Sequence, residues 1–331
     1  MVYSSTRVSG NRLAAAHKNC EDTCDVSVVI VNWNTRALLR KCLHCVCNTK
    51  WRLRLETIVV DNNSNDGSPV MVSREYPSVR LLRNRSNVGF AKACNQAIRA
   101  STGRYLLLLN SDTEVCDGSI SKMCEFMSNN KSVAAVGCTL LNSDGSVQQS
   151  YWKHFPSVKD AFVQNLYLYR LFPQERTSTG QDAAMSGEEE CIDVAHLLGA
   201  CIMIRREVLD EIGVFDEDYF LYLEETDWLY RAKQQGWRVC HLHSAQVIHH
   251  GQQSSKKDPV RFLPYMLRGY RRFLRKHYGS RSELAVKAAF LCGALLRLVI
   301  WAKRLLMGPD RNLARRMLAA QVAVARETCR L

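Results

Sequence analysis

The sequence predicts an α/β fold, a mainly parallel, doubly wound sheet followed by C-terminal amphipathic helices, and three observations predict it. Between Val26 and Asp112, apolar runs of strand length alternate with stretches whose apolar residues recur at helical spacing. The runs are apolar throughout, as in strands buried on both faces. Each ends in a polar, turn-rich cluster, the place where such sheets bind ligands. A chain of 331 residues, 47% of them hydrophobic, can bury one such domain and carry an appendage.

Residues 1–24 lack periodicity and are expected to form a flexible leader, with no secretory signal pattern beyond the short run Leu13-Ala14-Ala15-Ala16. The β-branched run Val26–Val31 is the first strand; Asn32-Trp33-Asn34-Thr35 follows it, then Leu38, Leu39, Leu43 and Val46 at helical spacing. Thr57–Val60 is the second strand and gives way to Asp61-Asn62-Asn63-Ser64-Asn65-Asp66-Gly67-Ser68. Val79–Leu82 is the third, Phe90–Ala100 a helix, and Tyr105–Leu109 the fourth strand, ending in Asn110-Ser111-Asp112. A helix is expected from near Asp117. Residues 151–190 are irregular and read as a surface insertion ending in the acidic stretch Gly180–Glu190. Leu197–Ile204 reads as a loop entering a strand, Arg206–Ile212 as a short helix, and Val247–Gly251 as a strand end. These elements define a catalytic-sized domain over 25–255. The tail over 256–331 is expected to hold two amphipathic helices, 259–279 and 282–307, able to lie in a bilayer interface, with packing of the first helix on the preceding domain as the alternative.

Charge is uneven along the chain. There are 45 Lys and Arg against 32 Asp and Glu, a formal +13. Residues 256–331 hold 18 basic and 4 acidic side chains, a net of +14, which leaves 27 basic and 28 acidic residues in 1–255. The distribution excludes a uniformly basic protein and points the tail toward an anionic membrane surface, each nearby cation contributing about 1 kcal/mol. Nucleic acid is the rival partner for the Arg clusters, but no zinc finger, RNA-binding sheet signature or helix-turn-helix accompanies them, and none is expected. No Gly-x-Gly-x-x-Gly follows the first strand and no P-loop is present, which argues against those nucleotide-binding classes. Cys42, Cys45 and Cys47 lack a second pair at zinc-finger spacing, so the 14 cysteines read as reduced thiols. Leu284–Leu306 is interrupted by Lys287, Arg297, Lys303 and Arg304, so an interfacial helix is expected there in place of a spanning one.

Four positions carry chemistry. Asp61 can accept a hydrogen bond from a base N–H or form an Asx turn. Asp112, after an all-apolar strand, can hold a hard divalent cation bridging diphosphate oxygens, or cap the next helix. Glu224-Glu225-Thr226-Asp227 crowds three acids into four residues. In a cleft their repulsion yields a general base; on an exposed helix N-terminus they complement the dipole. His249, at a strand end, is a metal ligand when it faces a carboxylate and otherwise a structural side chain.

Taken in order, Val28–Asn34, Asp61–Ser68, Asn87–Asn95, Leu107–Glu114, Gly199–Arg206, Gly213–Glu217, Tyr222–Trp228 and Val247–Gly251 resemble glycosyltransferase family 2, especially its rhamnosyltransferase-like branch. The resemblance spans about residues 25–255. It implies a nucleotide-diphosphosugar-binding domain of the GT-A type. The implied reaction is inverting transfer of a sugar, rhamnose in that branch, from a nucleoside diphosphate to a hydroxyl of a lipid-linked or polysaccharide acceptor. On the donor side it implies Asp61 as reader of the nucleobase, the backbone from Val31 to Asn34 as nucleoside pocket, and Asn87 and Asn95 near sugar and phosphates. Asp112 matches the second carboxylate of the family's Asp-x-Asp metal motif, whose first position here is Asn110, an amide that grips a hard cation less well. His249 matches a metal-coordinating histidine, so Mg or Mn held by Asp112 and His249 is the implied cofactor. Glu225 is the implied base, with Glu224 as its alternative. Gly199, Ala200, Asp227 and Trp228 fall on the acceptor side, Asp227 in either a structural or an acceptor-orienting role and paired with Arg231 one turn on. The departures at Asn110 and Glu225 also admit a relative that binds donor without turning it over. Such an enzyme is expected at the cytoplasmic face of a membrane, held peripherally by its tail.

Overall fold

The computed structural model describes residues 24–168, 190–251 and 259–329. The expected leader up to residue 23, the acidic stretch up to residue 189 and the 255/256 boundary lie outside the described residues. The first half runs β1 (Val26–Asn32), α1 (Arg36–Asn48), β2 (Leu55–Asp61), α2 (Ser68–Glu75), β3 (Arg80–Arg83), α3 (Phe90–Ala100), β4 (Tyr105–Asn110) and β5 (Thr113–Val115). It continues through α4 (Ser119–Asn129), β6 (Val133–Leu141), β7 (Val147–Gln148), β8 (Tyr151–Trp152) and α5 (Val158–Asn165). Then come β9 (Cys191–Asp193), β10 (His196–Leu197), β11 (Cys201–Arg205), α6 (Arg206–Ile212), α7 (Glu224–Gln234) and β12 (Arg238–His249). The tail holds α8 (Pro259–Tyr278), α9 (Ser280–Met307) and α10 (Arg311–Cys329).

The main sheet has the order β3-β2-β1-β4-β11-β6-β12-β5, with β7 beside β6 and β9 beside β12. β1 lies parallel to β2 and β4, β2 to β3, and β6 to β12, while β11 runs antiparallel between β4 and β6. The sheet is therefore mixed and mainly parallel. Side chains alternate between two cores because a strand repeats every two residues. Val26, Val28, Ile30, Leu107 and Leu109 join α1, α2 and α4, whereas Val29, Leu106 and Leu108 join α3, α6 and α7. The helices flanking β1 and β4 thus lie on opposite faces, which opens a crevice at the carboxyl ends of those strands. Thr35 Oγ1 and Ser111 Oγ, 2.8 Å apart, tie the two ends together.

Among its described residues the tail has three helices where two were expected, and the first takes the packed alternative: Phe273 and Leu274 are fully buried in the core that also holds Trp228. Burying each such side chain contributes roughly 1.5–3 kcal/mol. The second, α9, is one unbroken helix of 28 residues, by length and composition long and apolar enough to cross a membrane despite its charges. One face is fastened to the body. Val286, Ala289 and Ala294 are buried, and Gly293 sits so close to α5 that a Cβ there would lie 2.7 Å from Asn165 Cβ. Arg297, on the same side, reaches Asn165 and Tyr167.

Candidate active site

At the end of β2, Asp61 is buried, its Oδ1 accepting from Asn32 Nδ2 at 2.9 Å and its Oδ2 from the Ser64 N–H at 2.9 Å. The backbone at Val31 is in register with Val60 and Asn110, so chain free to line a ligand begins only beyond Asn32. There it turns sharply at Asn34, whose φ of 55° an Asn tolerates. Asn34 Oδ1 in turn accepts from the Asn65 N–H, locking the loops after β1 and β2 together. Asn87 Oδ1 caps the approach to α3 by accepting from Gly89 N. Asn95 is a correction: it is fully buried, and its amide bonds the backbone of Phe215 in both directions and donates to Glu217, so it holds the 213–217 loop.

The β4 end carries Asn110 and Asp112. Pairing of β12 with β5 sets His249 opposite Thr113, and the His250 N–H donates to the Asp112 carbonyl. His249 Nε2 then lies 3.4 Å from Asp112 Oδ1. Its other nitrogen, Nδ1, is 2.6 Å from Gln148 Oε1, and Gln148 Nε2 donates to Asn142 Oδ1, which fixes the amide's orientation. The Nδ1–H therefore donates to Gln148, which leaves Nε2 as the atom that faces the carboxylate oxygen. An imidazole nitrogen and a carboxylate converging in this way, the ring held from behind by Gln148, suit a hard divalent cation. Among the described residues no group of three or more His, Cys, Asp and Glu could hold a metal, so solvent or ligand oxygens would have to complete the shell. Cys42 is fully buried and burial pushes its thiol up to about 12, which leaves it inert.

The acids at the start of α7 divide into three roles. Tyr222 and Leu223, with φ of 74° and 68°, form a strained double turn that swings the helix N-terminus into the crevice. Glu224 is buried, its Oε2 has no hydrogen-bond partner, and burial together with the charge of Glu225 pushes its carboxyl well above the usual range. Glu225 is half-buried; burial pushes it up to about 7 against the pull of the Gly199 N–H. A Cβ on Gly199 would stand 3.3 Å from Glu225 Cδ, so the bare backbone allows this approach. Ala200, the next residue, accepts the Asn110 N–H at 2.9 Å and so ties the base to the metal end of β4.

Trp228, expected on the acceptor side, is instead fully buried, and Asp227, also fully buried, takes the structural one of its two expected roles. Trp228 Nε1 donates to the Gly213 carbonyl. Asp227 meets Arg231 at 3.0 Å, as the spacing foresaw, but also Lys276 and His277 of α8, each at 2.8 Å. These cations hold its carboxyl down at about 2 despite burial. From there α8 runs along the crevice. Arg272 pairs with Asp216, Gly269 lies against the Tyr222 carbonyl, Tyr265 stacks on Phe220 at 4.7 Å, and Arg261 sits 4.4 Å over Trp33. The partners of this strap and of Gln148 were not visible in the linear pattern: Gln148 meets His249 across 101 residues, and the ion pairs of α8 with Asp216 and Asp227 span 49–60.

This sheet, with its ligand crevice between β1 and β4, defines the GT-A class of sugar-nucleotide enzymes. A mannosyltransferase of Pyrobaculum calidifontis, solved in complex with GDP-Man and Mn2+, superposes with TM-score 0.52 over 95% of this chain and 91% of its own, at 17% identity. GalNAc-T7, solved with UDP, GalNAc and Mn2+, gives 0.54 at 18% identity, over 77% of this chain and 48% of its own. In sequence, an N-acetylglucosaminyl-diphospho-decaprenol L-rhamnosyltransferase of Mycobacterium tuberculosis is 30% identical over 223 residues, 63% of this chain and 71% of that protein. Residues 27–213 match the model of glycosyl transferase family 2, and the chain belongs to that family. It is thus a glycosyltransferase of an inverting family that draws a sugar from a nucleotide-sugar donor.

Proposed function

We propose that the chain transfers a sugar, with inversion and with Mg or Mn, from a nucleoside diphosphate to a hydroxyl of a lipid-linked or glycan acceptor. The observation that carries this reading is a carboxyl poised near neutrality, Glu225, joined through Gly199 and Ala200 to the Asp112 end of β4. As a carboxylate, Glu225 takes the proton from the acceptor hydroxyl as that oxygen attacks the anomeric carbon opposite the departing diphosphate. Glu224, holding its proton, adds no second charge beside the base. A cation held by Asp112 and His249 would neutralise charge on the leaving diphosphate. The mycobacterial relative's activity favours rhamnose as the sugar and a lipid-linked diphosphate as the acceptor.

We place the enzyme peripherally on the inner face of a membrane. Support comes from the face of α9 turned away from the body: Leu284, Leu295, Val299 and Leu306 are 53–78% exposed and form one stripe about 33 Å long at 1.5 Å per residue. With its opposite face packed on α5, α9 lies in the interface plane. The donor reading is tested by thermal shift with a panel of nucleotide sugars, without metal and with Mg or Mn. Saturation at 100 times Kd should raise stability by about 2.7 kcal/mol. A panel in which no nucleotide sugar shifts the transition with either metal sinks it.

A further inference from the structure

A second cavity of about 350 Å³, large enough for a small ligand, opens between the 218–221 loop and α8. Four arginines, Arg268, Arg271, Arg272 and Arg275, line it, with Asp218 and Glu283 as the acids. Three of the arginines are engaged: Arg268 by Glu327, Arg272 by Asp216 and Asp218, and Arg271 by Glu283, 2.5 Å from its Nη2. The engagement is incomplete. Arg271 is over nine-tenths buried, and its Nε–H has no hydrogen-bond partner. Arg275 holds Glu283 only at 3.7 Å and is largely exposed. A buried guanidinium with an unmatched donor calls for an anion, and guanidinium pairs match phosphate oxygens. The cavity's place is equally informative. Glu283 adjoins Leu284, where the exposed apolar stripe of α9 begins. Leu221, on the other wall, is four residues from Glu225, at most about 14 Å of chain.

We propose that this cavity seats the diphosphate of a lipid-linked acceptor, with the lipid leaving along α9 and the sugar hydroxyl reaching Glu225. The proposal rests on the lipid-linked reading above and identifies where that acceptor's charge is held. The probe is farnesyl diphosphate in detergent micelles, titrated into the full chain alongside farnesol, inorganic pyrophosphate and phosphatidylglycerol micelles. Arg275→Ala removes an exposed cation without opening the core; Arg271→Lys keeps a charge for Glu283 but deletes the Nε–H. Farnesyl diphosphate should bind at least about tenfold more tightly than farnesol, and each variant should weaken it about tenfold, the scale of one charge-assisted hydrogen bond. Binding of nucleoside diphosphate with Mn should be unchanged. Variants that bind farnesyl diphosphate like the parent overturn the proposal. So does competition between the probe and the nucleotide, which would put the probe in the donor crevice. Pyrophosphate binding as tightly as farnesyl diphosphate would reassign the cavity to a free phosphate, and equal Arg-dependent binding of phosphatidylglycerol would reassign it to a headgroup. Failure of the nucleotide itself to bind, by contrast, would sink the donor reading and leave the cavity's ligand to the probe titration.

Discussion

Replacing Glu225 by Gln removes a proton acceptor while keeping the side chain's size and its contact with the Gly199 N–H. General bases contribute about 10²–10⁴-fold, so kcat should fall by that factor with donor binding retained. The pH profile tests the same group in the native enzyme. With the carboxyl at about 7, only about one-tenth is ionised at pH 6 and about nine-tenths at pH 8. Because the base works ionised, kcat/KM should rise roughly tenfold across that interval and level off above it. Glu224 supplies the control. Burial and the neighbouring charge keep it protonated, so Glu224→Gln exchanges one neutral group for another and should keep most of the activity and the acid limb. Release of nucleoside diphosphate, followed from pH 5.5 to 9, reads all three proteins. Near-normal turnover in Glu225→Gln with intact donor binding, or a 100-fold loss in Glu224→Gln instead, would refute the assignment.

The Asp227 carboxyl, held at about 2 against an ordinary 3.8, should contribute about 2 kcal/mol of stability above pH 4, lost as pH falls through 2. Asp227→Asn leaves Lys276, His277 and Arg231 without their anion, so a loss of about 3 kcal/mol and a melting temperature lower by roughly 5 °C are expected; a change under about 1 °C would deny α8 its anchoring role. Gln148→Leu removes the acceptor that fixes the His249 tautomer and should weaken Mn binding about 10–100-fold in a direct titration, whereas parent-like affinity would show that the lock does not matter. A Leu295→Glu, Val299→Glu double variant should no longer float with anionic vesicles yet keep its donor-induced thermal shift; undiminished flotation would move membrane contact elsewhere.

Local pattern made much of the frame legible. The β-branched run at 26–31 could only be a doubly buried strand, and the helix at 90–100 has the ends its spacing foretold. The polar clusters at Asp61, Asp112 and Glu224–Asp227 marked strand ends and a helix start because such residues are buried only where backbone N–H groups or counter-charges can meet them. Less legible were roles set by the partner's position. Asn95 looks in sequence like a residue facing ligand, and Asp227 reads either as structural or as orienting the acceptor. Only the packing of the 213–217 loop and of α8 shows both to be structural, since a polar group's role depends on what saturates it. The charge-interrupted segment near residue 290, expected as an interfacial helix, proved long and apolar enough by length and composition to cross a membrane, and only its packing against α5 shows which face is covered.

Sequence by itself determined the strand order's raw material, the family, the acidic triplet and a tail holding a net of +14 in 76 residues. Hydrophobic periodicity and turn chemistry are local and survive in a linear string. Tertiary structure alone decided that Glu225 is the acid poised near 7, that His249 turns Nε2 toward Asp112, and that α8 straps the crevice. Desolvation, tautomer choice and ion pairing depend on groups brought together from distant parts of the chain, and no local pattern encodes those distances.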